Sequence, residues 1–159
     1  MTKLRVSRRA VLGTGIGAFV VTAGLPPAAS AATWAGLSAT NRGIIRKYYG
    51  AWVKKDWALM DRLLADDFTF TSAAPDDHIS KTTFKRQCWD TQSALIESFD
   101  LQRVFGAGDE AFVKYLCRTK SGKSFRNVEY LRLKNGKLEA IECYFGGAGF
   151  PSAANTSHT

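Results

Sequence analysis

The dipeptide Asn135-Gly136, set between two alternating runs, constrains this chain more than any other feature. A two-residue type I′ hairpin needs positive φ at both turn positions, and Asn followed by Gly meets that need at little steric cost. The flanking runs, Phe125–Leu133 and Leu138–Phe145, are therefore expected to pair as antiparallel strands. Two more runs precede them. Leu95–Phe105 ends at Gly106-Ala107-Gly108-Asp109, and Ala111–Thr119 ends at Ser121-Gly122. Four successive strands joined by tight turns make an antiparallel sheet.

A sheet with one apolar face must be covered, and the residues upstream supply the cover. Ile45, Tyr48, Tyr49, Trp52 and Val53 recur at helical spacing and form one apolar face. Ser38, Thr40 and Asn41 are its candidate N-caps. Asp56 caps a short second helix carrying Trp57, Met60, Leu63 and Leu64. Phe68–Thr71 alternates as a short fifth strand, and Ser72–Asp77 reads as a loop. Ile79, Ser80 and Phe84 occupy the N′, N-cap and N4 positions of a hydrophobic staple, predicting a third helix to about Thr91. Three helices over a bent, mainly antiparallel sheet define an α+β fold. Helices closing a curved sheet leave a cone with a pocket at its mouth.

The first 31 residues stand apart from this pattern. Lys3, Arg5, Arg8 and Arg9 precede an apolar run, Ala10–Leu25, and the small-residue site Ala29-Ser30-Ala31. That order reads as a secretory signal. The run is shorter than the roughly 20 residues that span a bilayer. Ser7-Arg8-Arg9-Ala10-Val11-Leu12 resembles the twin-arginine export signature, although Gly13 stands where lysine usually follows. An ordinary signal or an uncleaved anchor is the alternative. The expected organisation is a signal peptide over 1–31, a linker over 32–40, one domain over 41–147 and a flexible tail over 148–159. The mature protein is expected in the periplasm or outside the cell, with no membrane attachment after cleavage.

Composition narrows the chemistry. The signal holds four basic residues and no acid, so half of the formal +8 charge belongs to it. The remainder has no basic run, no zinc-finger spacing and no aromatic RNA-binding signature, so no nucleic-acid partner is expected. The three cysteines, Cys88, Cys117 and Cys143, cannot all pair internally. A chain folded in the reducing cytoplasm before export would keep them as thiols. With only His78 and His158, a histidine-rich metal site is ruled out, and neither a metal nor another cofactor is expected.

Three stretches resemble the SnoaL-like branch of the nuclear transport factor 2-like superfamily. Tyr48–Asp56 is similar to its first helix and following turn, Leu63–Phe70 to its helix-to-strand junction, and Asn135–Leu138 with Tyr144–Gly146 to its closing hairpin. The resemblance implies a nuclear transport factor 2-like, or cystatin-like, cone. It does not choose among isomerases, cyclases, hydrolases, dehydratases and non-enzymatic binders, which share this fold. It also implies a homodimer through the outer sheet face. Compared with ketosteroid isomerase, the helix-1 tyrosine falls on Tyr48, the strand acid on Glu129 and the base on Ser72. A serine hydroxyl is a poor base at neutral pH.

The candidate catalytic residues are therefore His78, Asp77 and Glu129. Glu129 shares a strand face with Phe125, Asn127, Leu131 and Leu133. On the cone lining it becomes a buried acid with a raised pKa. On the other face it pairs with Arg126 or Arg132 at the surface. Asp76-Asp77-His78 lies at the expected rim, where an Asp–His pair could supply the missing base or simply favour a helix start. Candidate ligand contacts are Tyr48, Trp52, Asn127, Glu129 and Tyr144. Glu142 and Tyr144 share one face of the last strand, opposite Ile141, Cys143 and Phe145, and a bulge would exchange the two.

Three roles follow. The first is a cofactor-free isomerase, cyclase or hydratase-type enzyme acting on a small apolar carbonyl compound. The second is a binder of a small apolar ligand. The third is an interaction module whose cone is plugged by Trp52, Phe70, Phe99 and Phe105.

Overall fold

Residues 34–72 and 76–146 are described by a computed structural model. The signal segment and the tail expected from the sequence lie outside these residues. The elements run β1 (Trp34–Leu37), α1 (Ala39–Lys54), α2 (Trp57–Leu63), β2 (Leu64–Thr71) and β3 (Ile79–Ser80). They continue with α3 (Lys81–Phe84), a π-turn (Lys85–Trp89), α4 (Asp90–Gln92) and β4 (Ile96–Gly108). Last come β5 (Glu110–Thr119), β6 (Ser124–Lys134) and β7 (Lys137–Phe145).

Local chemistry sets these boundaries. Ser38 caps α1 by accepting from the Asn41 N–H at 3.0 Å. Asp56 caps α2 through the Leu59 N–H at 2.8 Å. Ser80 caps α3 through the Thr83 N–H. α3, the π-turn and α4 are successive, so the third helix is one rod with a wide turn inside it. That turn buries both Cys88 and Trp89. Asn135 and Gly136 adopt φ of 51° and 74°, as the hairpin requires.

The seven strands form one mixed sheet, ordered β1-β4-β5-β6-β7-β2-β3. β4 to β7 are antiparallel neighbours, whereas β2 joins β7 and β1 joins β4 in parallel. The segment expected to be a linker thus contributes an edge strand, held also by Arg46, which lies 4.3 Å over the Trp34 ring. Register breaks in β4, at Ile96/Ser98 and Leu101/Arg103, mark bulges that bend the sheet.

The core lies between the helices and the inner sheet face. Ile45, Met60, Phe84, Leu64, Leu131, Leu138 and Ile141 are fully buried. Burying such a side chain contributes roughly 1.5–3 kcal/mol. Trp52 packs on Trp89 and Phe84, and Phe84 also meets Phe68 and Phe70. Phe105 does not plug the cone. It is 55% exposed on the outer face, stacked on Phe112.

Candidate functional site

Strand alternation decides what β6 shows to the core. Phe125, Asn127, Glu129, Leu131 and Leu133 all point inward and are buried. Register then assembles the neighbours. Glu129 faces Val113 on β5 and Cys143 on β7, and Asn127 faces Tyr115. α1 brings Tyr49 down onto this row.

The Tyr49 hydroxyl donates to Glu129 Oε2 at 2.6 Å, and the Tyr115 hydroxyl donates to Oε1 at 3.0 Å. Asn127 Nδ2 donates to the Tyr115 hydroxyl at 3.2 Å and to Cys143 Sγ at 3.5 Å. Its Oδ1 accepts from the Gly146 N–H at 3.4 Å. The Tyr115 oxygen therefore accepts on one side and donates on the other, which fixes its proton toward the carboxylate. The Tyr49, Phe99 and Tyr115 rings meet edge to face, with centroids 5.2–5.4 Å apart, and wall the group with apolar surface.

The electrostatics follow from that wall. Burial pushes the Glu129 carboxyl up to about 7, against the opposing pull of hydrogen bonds from Tyr49, Tyr115 and Cys143. Burial first, and the charge on Glu129 second, raise the hydroxyls of Tyr48, Tyr49 and Tyr115 well above the usual phenol value. Cys143 is raised by the same two causes. The cluster is thus one acid poised to exchange a proton near neutrality, held by donors that stay neutral.

The sequence expectations divide accordingly. Glu129 and Asn127 lie in the cluster. Tyr48 is buried beside it, its ring 4.9 Å from that of Tyr49, but Tyr49 is the tyrosine bonded to the acid. Trp52 is core, packed between Trp89 and Phe84. Tyr144 does not line the site. It is 56% exposed, and its hydroxyl donates to Glu142 at 2.7 Å, because Ile141 and Cys143 take the inner face. His78 and Asp77 form a pair at 2.5 Å, but their side chains are 70% and 77% exposed. They stand at the surface, away from the buried acid. The His78 backbone has φ of 51°, and its N–H donates to Thr71 Oγ1. Sequence reasoning missed Tyr115, whose inward direction is readable from the alternation of Ala111, Val113, Tyr115 and Cys117.

All three cysteines are buried free thiols, with Cys88 and Cys117 pushed up to about 12 by burial. Among the described residues, no group of three or more His, Cys, Asp or Glu side chains could hold a metal ion. No described helix is long and apolar enough to cross a membrane.

A large mixed sheet with helices packed on its inner face is the α+β cone fold of nuclear transport factor 2-like and cystatin-like structures. The family profile of the SnoaL-like domain matches residues 45–141, and the chain belongs to that family. No curated protein matches the sequence. Solved structures share the fold. A protein of cystatin-like fold from Methylobium petroleophilum is 14% identical with a TM-score of 0.61, covering 73% of this chain and 82% of its own. A nuclear transport factor 2-like protein from Mesorhizobium loti is 23% identical with a TM-score of 0.57, covering 68% and 92%. A protein of ketosteroid isomerase-like fold from Catenulispora acidiphila, in complex with trimethylamine, is 16% identical with a TM-score of 0.55, covering 67% and 87%.

Proposed function

We propose that this SnoaL-like domain binds a small apolar molecule against Glu129 and acts on it by acid–base chemistry of the isomerase, cyclase or hydratase type. One observation carries the reading. A carboxyl group, with no cation bonded to it among the described residues, is buried under two phenol donors, and burial pushes its pKa up to about 7. Leaving a carboxyl in an apolar core is costly, so a purely structural design has little reason to keep it there. In the protonated form it can give its proton to a substrate oxygen, and in the ionised form it can receive one. Native mass spectrometry of protein purified from its own host tests for a retained ligand. Glu129→Gln should lose that ligand or its turnover while keeping the fold.

Holding a ligand without turnover is the second reading. It is favoured by the exposure of the His78 and Asp77 side chains, which stand at the surface rather than in hydrogen-bond contact with Glu129. Retention of an unchanged ligand by both the wild type and Glu129→Gln would select it.

We further propose that the domain works outside the cytoplasm, delivered by the signal over 1–31, and that two copies associate through the outer sheet face. Phe105, Phe112 and Tyr130 form an aromatic ladder there, with centroids 5.2–5.7 Å apart. Light scattering of wild type and Phe112→Glu tests the second point. Loss of a dimer is the expected result, and a monomeric wild type would sink it.

A further inference from the structure

The β5–β6 hairpin carries a charge pattern that the buried acid does not use. Between Glu110 and Glu129 the chain holds Lys114, Arg118, Lys120, Lys123 and Arg126, and no acid. Strand alternation spaces these cations out, so they make no basic run. Register gathers them again. Arg118 stands opposite Ser124 and Arg126 opposite Leu116, both exposed on the outer face toward the hairpin tip. Asn127 and Glu129 point the other way, into the core.

Two further segments end at the same tip. The Lys120 N–H donates to the Leu95 carbonyl at 3.0 Å, and Lys120 Nζ donates to the Ala94 carbonyl at 2.7 Å. The end of α1 adds Lys54 and Lys55, and contact with the Lys55 side chain holds the Lys120 ammonium below its ordinary value. Lys54, Lys55, Arg118, Lys123 and Arg126 are exposed and have no ion pair among the described residues. Cations elsewhere do: Lys81, Lys85, Arg132, Lys134 and Lys137 each meet a carboxylate. Asp56, Glu97 and Asp100 lie along the same segments, but Asp56 is taken up by the α2 cap. Like charges gathered in this way repel one another and oppose folding. Apolar side chains stand among them, Leu95 at 44% and Val53 at 40% exposure.

We propose that this end of the domain, built from the close of α1, the Ala94-Leu95 loop and the β5–β6 hairpin tip, docks peripherally on an anionic lipid surface. The cations meet the headgroups, and Leu95 enters the interface between them. Apolar side chains decide between partners. A polyanion dissolved in water gains little from Leu95 and Val53, whereas a bilayer surface accepts both charge and apolar area. An exported domain, as proposed above, meets such a surface on the membrane it has crossed. Three separate segments build the surface, so the sequence, read as a chain free of the membrane once its signal is cleaved, does not announce it. Arg118 lies roughly 20 Å along β5 from Phe112 of the aromatic ladder, so a second copy on the ladder leaves the tip open.

Co-sedimentation with vesicles tests the proposal. The mature chain, residues 32–159, is the form to use, because it holds every element of the fold and the signal would itself enter a bilayer. It should bind vesicles of equal parts phosphatidylglycerol and phosphatidylcholine, and lose them in roughly 500 mM salt. Each Lys or Arg strengthens such binding about fivefold. Arg118→Gln with Arg126→Gln should therefore weaken it by about 25-fold, and Lys123→Gln by about fivefold. Leu95→Ser should weaken binding without changing its salt dependence. Arg62→Gln with Arg86→Gln, the same charge removed from exposed positions elsewhere, should stay within about twofold of wild type. Near-UV circular dichroism checks that each variant is folded. Equal binding to vesicles of phosphatidylcholine alone, or full binding by the Arg118 and Arg126 double variant, would overturn the proposal. Binding to duplex DNA but not to vesicles, lost in the same double variant, would assign the surface to nucleic acid instead.

Discussion

The hydroxyl of Tyr49 lies 2.6 Å from the Glu129 carboxylate, joining the first helix to the middle of the sheet in a fully buried bond. That bond favours the ionised acid and opposes the upward push of burial. Tyr49→Phe should therefore raise the Glu129 midpoint further, by roughly one pH unit, the worth of a typical charge-assisted bond. Carbon-detected NMR of the Glu129 carboxyl measures it. An unchanged or lowered midpoint would contradict the role given to Tyr49.

Glu129 also ties stability to pH. Its folded-state value of about 7 lies above the ordinary carboxylate value of 4.5, so the folded state holds a proton that the unfolded chain releases. The stabilisation is complete below the unfolded value and is lost as pH rises to about 7. Urea unfolding of wild type should weaken, relative to Glu129→Gln, by about 3 kcal/mol between pH 4.5 and pH 7. A difference independent of pH would show that the acid is not held in this way.

Phe84 is fully buried and touches Trp52, Phe68 and Phe70, whereas Phe105 stacks on Phe112 in the open. Phe84→Ala should cost about 3–5 kcal/mol of stability. Phe105→Ala should cost well under half of that in the monomer. Chemical denaturation of the two variants side by side gives the ratio.

A Cβ at Gly136 would meet nothing within 4 Å, but the residue has φ of +74°. Gly136→Ala should destabilise the hairpin by about 1 kcal/mol through backbone strain alone. The melting temperature of this variant checks the turn type.

Export predicts a particular mature chain. Cleavage after Ala31 would leave two residues, Ala32 and Thr33, ahead of β1. Amino-terminal sequencing of the secreted protein should begin at Ala32, and replacing Arg8 and Arg9 with lysine should retain the precursor inside the cell. Continued export of that variant would remove the twin-arginine route.

Much of this architecture was legible in the residues because it depends on short-range chemistry. Ser80, Asp56 and Asn135-Gly136 act on backbone within a few positions, and each behaves as its type dictates. Alternation alone also placed Glu129 and Asn127 on one face. The rest needed distances that sequence does not carry. Tyr48 and Tyr49 both lie on the apolar face of α1, and only the angle at which the helix crosses the sheet selects Tyr49. Tyr115 reaches Glu129 from a position that faces Asn127, so its role depends on interstrand register. The strand Trp34–Leu37 has no alternation to announce it and pairs with residues about 70 positions away.

The order of the strands has a consequence for assembly. β4 and β2, which would otherwise be the rims of the sheet, are flanked by β1 and β3, strands of four and two residues. β1 therefore shields Val104–Gly108 of β4, and β3 shields Thr69 and Phe70 of β2, from pairing with another chain. Growth by strand addition, the geometry of fibrils, is disfavoured at those positions.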